Sequence, residues 1–435
     1  MLTIFGSPDR AARDDRHRRK PRRRGISAAR RRSSPTSGLA ARQGMPCQSG
    51  ITDKGFAMVT AEHEGSHEGA NGYEGPGVVY VMSNQATGNS VTVFDRAADG
   101  GLTQGGTFPT GGLGAGSATN PLDSLLSQGS LVLSKDHRFL FAVDAGSNEV
   151  SVLAVNGEKL TPVDRVSSGG TFPVSLTVHD NLLYVLNRED SALEHSTVTG
   201  FTVNADGNLC ALAGSTQALV GGPGAAPAQV EFTPDGTALV VTERTENVID
   251  VLPIDDQGRA GPPVTTDSNG PAPFGFTFAG NDLLIVSELS DAASSYRVGQ
   301  DGTLTVVSGS VPTTESGACW IVTNGTTDPG YAYVSNTVSG TISGYLIDET
   351  GALSLLSADG HTAVALDSHA LIDSSVGGDG RFLYVLTGGF SATSNAPVIC
   401  NPMTISAFRI ERNGNLTTIP GPDGLAPGTQ GIVAI

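Results

Sequence analysis

The sequence predicts an all-β protein, a seven-bladed β-propeller built from four-stranded antiparallel blades. Three observations lead to this prediction: an apolar strand recurs seven times, a glycine turn recurs in phase with it, and the last residues have the pattern of a missing strand. The 435 residues include 57 glycines, roughly twice the usual share, and only 16% of the residues are charged. This composition excludes a coiled coil and a helical bundle.

The recurring strand ends in a polar residue in each of its seven copies, which run from VVYVMSN to RFLYVLT at intervals of 43 to 60 residues. Their last residues are Asn84, Asp144, Asn187, Glu243, Glu288, Asn336 and Thr387. Turn-forming residues lie seven or eight positions upstream of the last six, at Asp136, Asp180, Asp235, Asn281, Pro329 and Asp379. Each repeat thus opens with a hairpin. Four strands in about 50 residues are typical of a propeller blade.

A second turn precedes the outermost strand of each repeat and reads DGGL, DGNL or DGTL in its clearest copies. Its glycines stand at positions 100, 157, 207, 258, 302, 351 and 414. Glycine adopts the left-handed backbone that such turns need without a steric penalty. Seven glycines in phase with seven strands support a count of seven blades.

The two ends of the repeat region complete each other. The first repeat begins at Val78 with its second strand, whereas the last residues, GTQGIVAI, have the pattern of an inner strand. We therefore expect the C-terminal tail to supply the innermost strand of the first blade and to close the ring. A closed ring leaves no sheet edge open for aggregation.

Charge divides the chain into a head, residues 1–75, and a propeller, residues 76–435. Residues 1–50 hold 13 of the 26 Lys and Arg side chains with three acids, and the other 385 residues hold 13 basic and 40 acidic side chains. We expect a disordered basic head followed by an acidic Gly/His linker. The acidic propeller would repel nucleic acid and anionic membranes, so a small molecule in the central funnel is the expected partner.

Other sequence signals are negative. No apolar run reaches the ~18 residues that span a bilayer, and no apolar stretch follows the basic block. We expect a cytoplasmic protein by default, or a secreted one if the natural N-terminus differs. The four cysteines lie far apart without a C-x-x-C motif and indicate neither a disulfide framework nor a zinc site. No nucleotide motif occurs, so we expect no cofactor and no metal.

The blade pattern (YVxN, SVTVF, DGxL, then PxxxxxxPDGxxL) resembles the lactonase family of seven-bladed propellers over residues from about 76 to 435. That family includes 6-phosphogluconolactonase and carboxymuconate cyclase. The resemblance implies a site with Pro-Arg-His opening one inner strand and a glutamate ending the next strand. The best match, GPGAAPAQVEFTPDGTALVVTE, places Glu243 at the glutamate, but Ala228 and Gln229 stand at the arginine and histidine. Glu288 repeats the acid in the next blade.

Candidate catalytic residues follow from the expected topology, since the loops after the second strands and before the inner strands share one face. Polar strand ends there are expected to converge into a funnel, although Asn84, Asp144 and Asn336 are also ordinary turn formers. Opening a lactone needs an activated water and positive groups facing the oxyanion. The candidate bases are Glu243, His369 and, as an alternative, Glu288. Arg188 and Arg244 are the cations expected to face the oxyanion.

Two functions fit the sequence. The first is a lactonase-like hydrolase of the 6-phosphogluconolactonase type, and the second is a non-catalytic propeller that binds a small ligand or a protein partner. The acidic propeller favours a neutral ligand over a phosphorylated sugar, because an anion would be repelled at long range.

Overall fold

The computed structural model describes residues 76–116, 123–189, 195–325, 330–365, 370–388, 390–391, 398–399 and 402–435. All regular structure in these residues is β-strand, arranged as seven four-stranded antiparallel blades, which confirms the predicted fold. Among them no helix is long and apolar enough to cross a membrane. The predicted head at residues 1–75, the turn at Pro329 and the candidate base His369 lie outside the described residues.

In the first three blades the chain runs from the inner strands to the outer strand, and in blade 1 the C-terminus adds the innermost strand. Blade 1 contains β1 (Gly77–Met82), β2 (Ser90–Arg96), β3 (Leu102–Pro109) and, innermost, β32 (Ile432–Ala434). Blade 2 contains β4 (Leu131–Leu133), β5 (Phe139–Asp144), β6 (Glu149–Asn156) and β7 (Lys159–Ser167). Blade 3 contains β8 (Pro173–His179), β9 (Leu182–Asn187), β10 (Thr197–Val203) and an outer strand in two pieces, β11 (Leu209–Ala211) and β12 (Gln217–Ala218).

The last four blades repeat this arrangement. Blade 4 contains β13 (Pro227–Phe232), β14 (Ala238–Glu243), β15 (Val248–Pro253) and β16 (Val264–Asp267). Blade 5 contains β17 (Pro273–Ala279), β18 (Leu283–Glu288), β19 (Ala292–Val298) and β20 (Leu304–Pro312). Blade 6 contains β21 (Ala318–Thr323), β22 (Gly330–Asn336), β23 (Thr341–Ile347), β24 (Leu353–Leu355) and β25 (Ala363–Val364). Blade 7 contains β26 (Leu371–Val376), β27 (Phe382–Thr387), β30 (Thr404–Ile410) and β31 (Leu416–Ile419), with a small hairpin of β28 (Phe390–Ser391) and β29 (Val398–Ile399).

The C-terminal strand closes the ring as predicted. β32 pairs antiparallel with β1, and the Ile435 and Val78 backbones exchange hydrogen bonds of 2.9 and 3.2 Å. A buried ion pair adds to the closure: Arg96 of blade 1 lies 3.1 Å from Asp379 of blade 7. Arg96 Nε also donates to the Ile435 carbonyl at 3.3 Å. The first blade is therefore completed by both ends of the propeller segment.

Five of the seven repeated glycine turns pack against the second strand of the preceding blade, namely those of Gly100, Gly207, Gly258, Gly351 and Gly414. All seven glycines have positive φ, between 61° and 90°, as the sequence pattern predicted. Tyrosine hydroxyls donate to three of these glycine carbonyls: Tyr184 to Gly258, Tyr333 to Gly414 and Tyr384 to Gly100, at 2.8 to 2.9 Å. These five turns are therefore contacts between neighbouring blades as well as reversals of the chain.

The inner strands have an open edge toward the channel, where no further strand supplies hydrogen bonds. Side chains of one inner strand bind the backbone of the next instead. Ser175 and Thr177 of β8 accept hydrogen bonds from Val230 N and Phe232 N of β13, both at 3.2 Å. The inner strands therefore contain buried polar residues at positions where a purely apolar core would be expected.

The long connection between β3 and β4 enters the channel. We call its residues 123–130 the channel plug. Ser127 Oγ donates to Val174 O at 2.7 Å, and Gln128 Nε2 donates to Ile321 O at 2.9 Å. Trp320 Nε1 donates to Ser127 O at 2.9 Å. Since Val174, Trp320 and Ile321 belong to the inner strands of blades 3 and 6, the plug lies inside the ring of inner strands.

The cysteines differ from the expectation in one respect. Cys210 in β11 is disulfide-bonded, whereas Cys319 in β21 is a buried free thiol. Residues far apart in sequence can lie close together in a closed ring. The wide spacing of the cysteines therefore did not exclude a disulfide bond.

Candidate functional site

Six of the polar residues that end the second strands are fully buried: Asn84, Asp144, Asn187, Glu243, Glu288 and Asn336. Asn84 Nδ2 donates to Ser124 Oγ of the plug at 2.8 Å, whereas the other five bind their own blade, the preceding blade or the connection that arrives from it. Asp144, for example, accepts a hydrogen bond at 2.8 Å from Thr110 in the connection after β3. These side chains hold the blade connections in place, and they do not line the channel together as the expected funnel required.

Glu288 shows this arrangement most completely. Its carboxylate accepts hydrogen bonds from Gly270 N at 3.0 Å, from Ser310 Oγ at 2.7 Å and from Ser294 Oγ. The two serines stand on β20 and β19, so the carboxylate faces outward along blade 5. A fully buried carboxylate with three donors is well satisfied, which is the condition under which such a group is stable in a core.

Glu243 lies in the corresponding position of blade 4. Its carboxyl accepts a hydrogen bond from Gly221 N at 3.1 Å and faces Asp250 on β15. Burial, together with the neighbouring Asp250 carboxyl, raises the pKa of Glu243 to about 8. Thr265 Oγ1 donates to the other partner, Asp250 Oδ1, at 2.6 Å. Glu243 is therefore protonated at neutral pH.

The residues immediately after two of these strand ends extend toward the plug. Arg188 and Arg244 follow Asn187 and Glu243, and their backbone N–H groups bind Phe172 O and Ala226 O. Arg188 Nη1 donates to Leu125 O of the plug at 2.6 Å, and its guanidinium stacks 4.5 Å above the Phe172 ring. The inner ends of blades 3 and 4 therefore bring two cations to the same part of the channel.

The Arg244 guanidinium occupies the neighbouring position. Arg244 Nε donates to Ala226 O at 2.8 Å, and the guanidinium lies 5.5 Å from the Phe274 ring. Burial and the adjacent positive charge of Arg188 lower the pKa of Arg244 to about 10. Two guanidinium groups in mutual repulsion favour a negatively charged group between them.

A carboxyl is present at this place, contributed by Asp123 at the start of the plug. Asp123 is 6% exposed, and its Oδ1 accepts hydrogen bonds from Leu126 N at 2.6 Å and from Gln430 Nε2. Burial raises the pKa of Asp123 to about 6, while these two donors and the charges of Arg244 and Arg188 oppose the rise. Asp123 is thus ionised at neutral pH yet remains able to accept a proton.

Asp123 is not among the candidates predicted from the sequence. It lies in a connection with no strand pattern, and its neighbours NPLDSLL resemble no known motif. One signal was present: the interval between Asn84 and Asp144 is the longest of the series at 60 residues. An unusually long connection between two blades is a common location for functional residues.

Asp373 on β26 is a second buried carboxyl near this group. It is 3% exposed, accepts a hydrogen bond from Gly431 N at 3.1 Å and has a left-handed φ of 74°. Burial raises the pKa of Asp373 to about 7, and the charge of Asp123 adds to the rise. A non-glycine residue in this backbone region is strained, and such strain is found preferentially at functional sites.

The positions matched to the family's basic pair are occupied by groups without charge. Ala228 is fully buried, and Gln229 exchanges hydrogen bonds with both the N–H (2.7 Å) and the carbonyl (3.0 Å) of Phe276. Gln229 is therefore one of the side chains that close an inner-strand edge. In the part of the chain that the structure describes, no three His, Cys, Asp or Glu side chains form a group able to hold a metal.

The structure thus brings together Arg188 and Arg244 with Asp123, and places Glu243 and Glu288 apart from them in the blades. A carboxylate that can accept a proton beside two guanidinium groups can activate a water and stabilise an oxyanion. We call Asp123, Arg188 and Arg244 the channel site.

The chain matches the model of a family described as "Lactonase, 7-bladed beta-propeller" over residues 77–209 and 194–322. No protein with a curated description matches the sequence significantly.

Several solved structures share the fold. A protein from Lactobacillus plantarum superposes with a TM-score of 0.63 at 19% identity, covering 82% of this chain and 98% of its own. A putative 6-phosphogluconolactonase from Bacteroides fragilis gives 0.59 at 18% identity, covering 83% and 98%. The periplasmic gluconolactonase of Pseudomonas aeruginosa gives 0.59 at 17% identity, covering 82% and 98%.

Proposed function

The chain belongs to the lactonase family of seven-bladed β-propellers, and from this membership we propose that it is a carboxylic ester hydrolase that opens a lactone with water at the channel site. Two structures of the same fold carry the names putative 6-phosphogluconolactonase and gluconolactonase, which supports a sugar lactone as the substrate class. The observation that carries the proposal is the buried Asp123 carboxyl within range of the positive charges of Arg188 and Arg244, which oppose the rise of its pKa.

In the proposed reaction the Asp123 carboxylate removes a proton from a water, and the water oxygen attacks the lactone carbonyl carbon. The carbonyl oxygen becomes an oxyanion that Arg188 and Arg244 stabilise. When the tetrahedral species collapses, the bond from the acyl carbon to the ring oxygen breaks. The leaving oxygen takes the proton from Asp123, so the product is an open-chain hydroxy acid and Asp123 is again a carboxylate.

The geometry of Asp123 supports its role as the base. Both of its hydrogen bonds within the described residues go to Oδ1, so Oδ2 is the oxygen available to a water. With a pKa of about 6, Asp123 is ionised at pH 7 and is a stronger base than an ordinary aspartate. Glu243, in contrast, carries its proton at this pH.

The role of a base for Glu243, Glu288 or His369 stays a prediction from the sequence. We propose that Glu243 acts through its neighbour: its carboxyl fixes the end of β14, from which Arg244 extends. Glu288 has the equivalent place in blade 5, where Leu289 follows it. A direct role for either would require the carboxyl to exchange its buried hydrogen bonds for contact with a substrate.

The proposal is tested by measuring hydrolysis of neutral and phosphorylated sugar lactones with matched variants. Asp123→Asn is expected to lower kcat/KM by about 100-fold or more, since it removes a general base. Arg188→Met and Arg244→Met are each expected to lower it by about 100-fold. Wild-type kcat/KM should fall as the pH drops through about 6, where Asp123 becomes protonated.

Two controls separate the channel site from the rest of the propeller. Glu189→Gln removes a carboxylate on the same face, one that binds Thr171 N at 3.0 Å, and Arg138→Met removes an exposed arginine that binds Ala205 O. Both should retain wild-type activity. Full activity of Asp123→Asn would contradict the proposal, and loss of activity in Glu243→Gln with a normal Arg244→Met would move the site to Glu243.

A non-catalytic binding propeller is the second candidate. One observation favours it: Ala228 and Gln229 supply no charge where the family resemblance expects an arginine and a histidine. This alternative predicts no hydrolysis of any lactone by the wild type, while a bound ligand still raises the Tm of the wild type and not of Arg244→Met.

A further inference from the structure

The side chain of Gln430 connects the C-terminal closing segment to the channel site. Gln430 is 1% exposed, and its backbone N–H binds Met82 O of β1 at 3.1 Å. Its Nε2 donates to Asp123 Oδ1, and its Oε1 accepts hydrogen bonds from Leu125 N at 2.9 Å and Ser124 Oγ at 3.3 Å. One amide therefore binds three consecutive residues at the start of the plug.

The rest of the plug is held independently of Gln430. Ser127 and Gln128 bind the inner strands of blades 3 and 6, and Gln128 N also donates to Ala228 O at 3.1 Å in blade 4. The plug therefore has anchors on three blades beyond its first residues. What Gln430 adds is the orientation of the Asp123 carboxyl itself.

From this arrangement we infer that Gln430 is a positioning residue of the channel site: its amide holds Asp123 Oδ1 and thereby directs Oδ2 toward the reacting water. The inference rests on the proposed function, because it assigns Gln430 to the base of that reaction. It also means that the site is complete only when the C-terminal segment closes blade 1.

The charged and titratable groups that face Asp123 come from four blades: Arg188 of blade 3, Arg244 of blade 4, Cys319 of blade 6 and Asp373 of blade 7. The two arginines favour the Asp123 carboxylate and Asp373 opposes it. Burial raises the pKa of the Cys319 thiol to about 12, so that this thiol stays neutral. Gln430 is the uncharged donor in this set, and its loss should raise the pKa of Asp123.

Two variants of Gln430 distinguish the loss of its hydrogen-bond donor from a change in the shape of its side chain. Gln430→Met keeps the length of the side chain but removes both the donor and the acceptor. Gln430→Glu keeps an acceptor for Leu125 N and replaces the donor to Asp123 by a second carboxyl oxygen. The acid limb of the kcat/KM profile should move to higher pH by about one unit in Gln430→Met, and further in Gln430→Glu. KM should change little while kcat falls.

Gln85→Met is the matched control. Gln85 Nε2 binds Pro427 O and Ser83 O, both at 2.9 Å, so it also ties blade 1 to the C-terminal segment but does not contact Asp123. Its pH profile should coincide with that of the wild type, even if its Tm falls. A purely structural role of Gln430 would lower the Tm in the same way and leave the acid limb in place.

A second readout does not depend on activity. The titration of Asp123 is followed by ¹³C NMR of aspartate carboxyls, with the Asp123 signal assigned by its absence in Asp123→Asn. A midpoint that rises in both Gln430 variants supports the inference, even if no lactone is hydrolysed and the proposed function fails. An unchanged midpoint in a folded Gln430→Glu overturns the inference, while an active wild type with an inactive Asp123→Asn would still leave the proposed function standing.

Discussion

Buried carboxyls in this protein differ in charge because their immediate partners differ. Asp123 and Glu243 are both largely removed from water, which by itself favours the protonated form. Asp123 has two hydrogen-bond donors and two guanidinium groups nearby, and its pKa is about 6. Glu243 faces another carboxyl, and its pKa is about 8. At neutral pH the first is a carboxylate suited to accept a proton, and the second is a neutral acid.

Glu243→Gln is expected to flatten the dependence of Tm on pH. The pKa of Glu243 is about 8 when folded and 4.5 at its ordinary value, so the folded state binds this proton more tightly. The stability that it contributes is therefore complete below pH 4.5 and is lost as the pH rises through about 8. Glutamine does not titrate, and between these values the variant's Tm should fall less than that of the wild type, by about 6 °C.

Differential scanning calorimetry across this pH range checks the prediction. Asp250→Asn removes the other carboxyl of the pair and should flatten the curve in the same way. Glu189→Gln, which does not contact Asp250, serves as the control with a wild-type slope. If Glu243→Gln keeps the wild-type slope, the pKa of Glu243 is not raised in the folded protein.

At the level of elements, every repeated glycine turn requires a left-handed backbone, and some of these turns also require the absence of a side chain for packing. Gly100 in blade 1 has φ of 90°, and a Cβ at this position would overlap the Phe382 ring of blade 7. Gly157 in blade 2 has φ of 61°, and no atom lies within 4 Å of a Cβ built there. The same glycine in the repeat therefore has a backbone role and a packing role in blade 1 but only a backbone role in blade 2.

Gly100→Ala is expected to destabilise the protein by about 3 kcal/mol, the sum of a left-handed backbone and an overpacked contact. Gly157→Ala has only the backbone cost, about 1 kcal/mol. Urea unfolding of the two variants measures the difference directly. Equal losses would show that the contact between blades 1 and 7 at Phe382 adds nothing to the cost of the turn.

At the scale of the whole molecule, closure and charge decide what the propeller can do. The ring closes through β32, the Arg96–Asp379 ion pair and the Ile435 backbone, so that blade 1 depends on segments more than 300 residues apart in sequence. Residues 51–435 together carry 40 acidic and 13 basic side chains. An anionic substrate approaching the channel site is repelled by this charge before it reaches Arg188 and Arg244.

If the lactonase proposal holds, kcat/KM for a phosphorylated lactone should increase several-fold between low ionic strength and about 0.15 M, where the Debye length is about 8 Å. The matching neutral lactone should show no such increase, because it does not respond to the long-range field. Steady-state kinetics over a salt series provides the comparison. A kcat/KM for the phosphorylated substrate that falls with salt would mean that the two arginines outweigh the acidic surface.

The sequence by itself determined the class of fold, the number of blades, the turns and the closure by the C-terminal tail. These features are encoded locally: alternating apolar strands, glycines with positive φ and turn residues act within a few positions of each other, and the repeat makes each signal visible seven times. Arg188 and Arg244 were also identified from the sequence, since they follow directly on recognisable strand ends.

Only the tertiary structure decided what surrounds those arginines. Asp123 belongs to no repeat and lies 307 residues from Gln430, so no local pattern relates the two. The orientation of Glu243 and Glu288 was equally hidden, because a residue at the end of a strand faces either the channel or the blade according to partners on other strands. Burial and hydrogen bonding between distant segments set the charge of a carboxyl, and those segments meet only when the ring is closed.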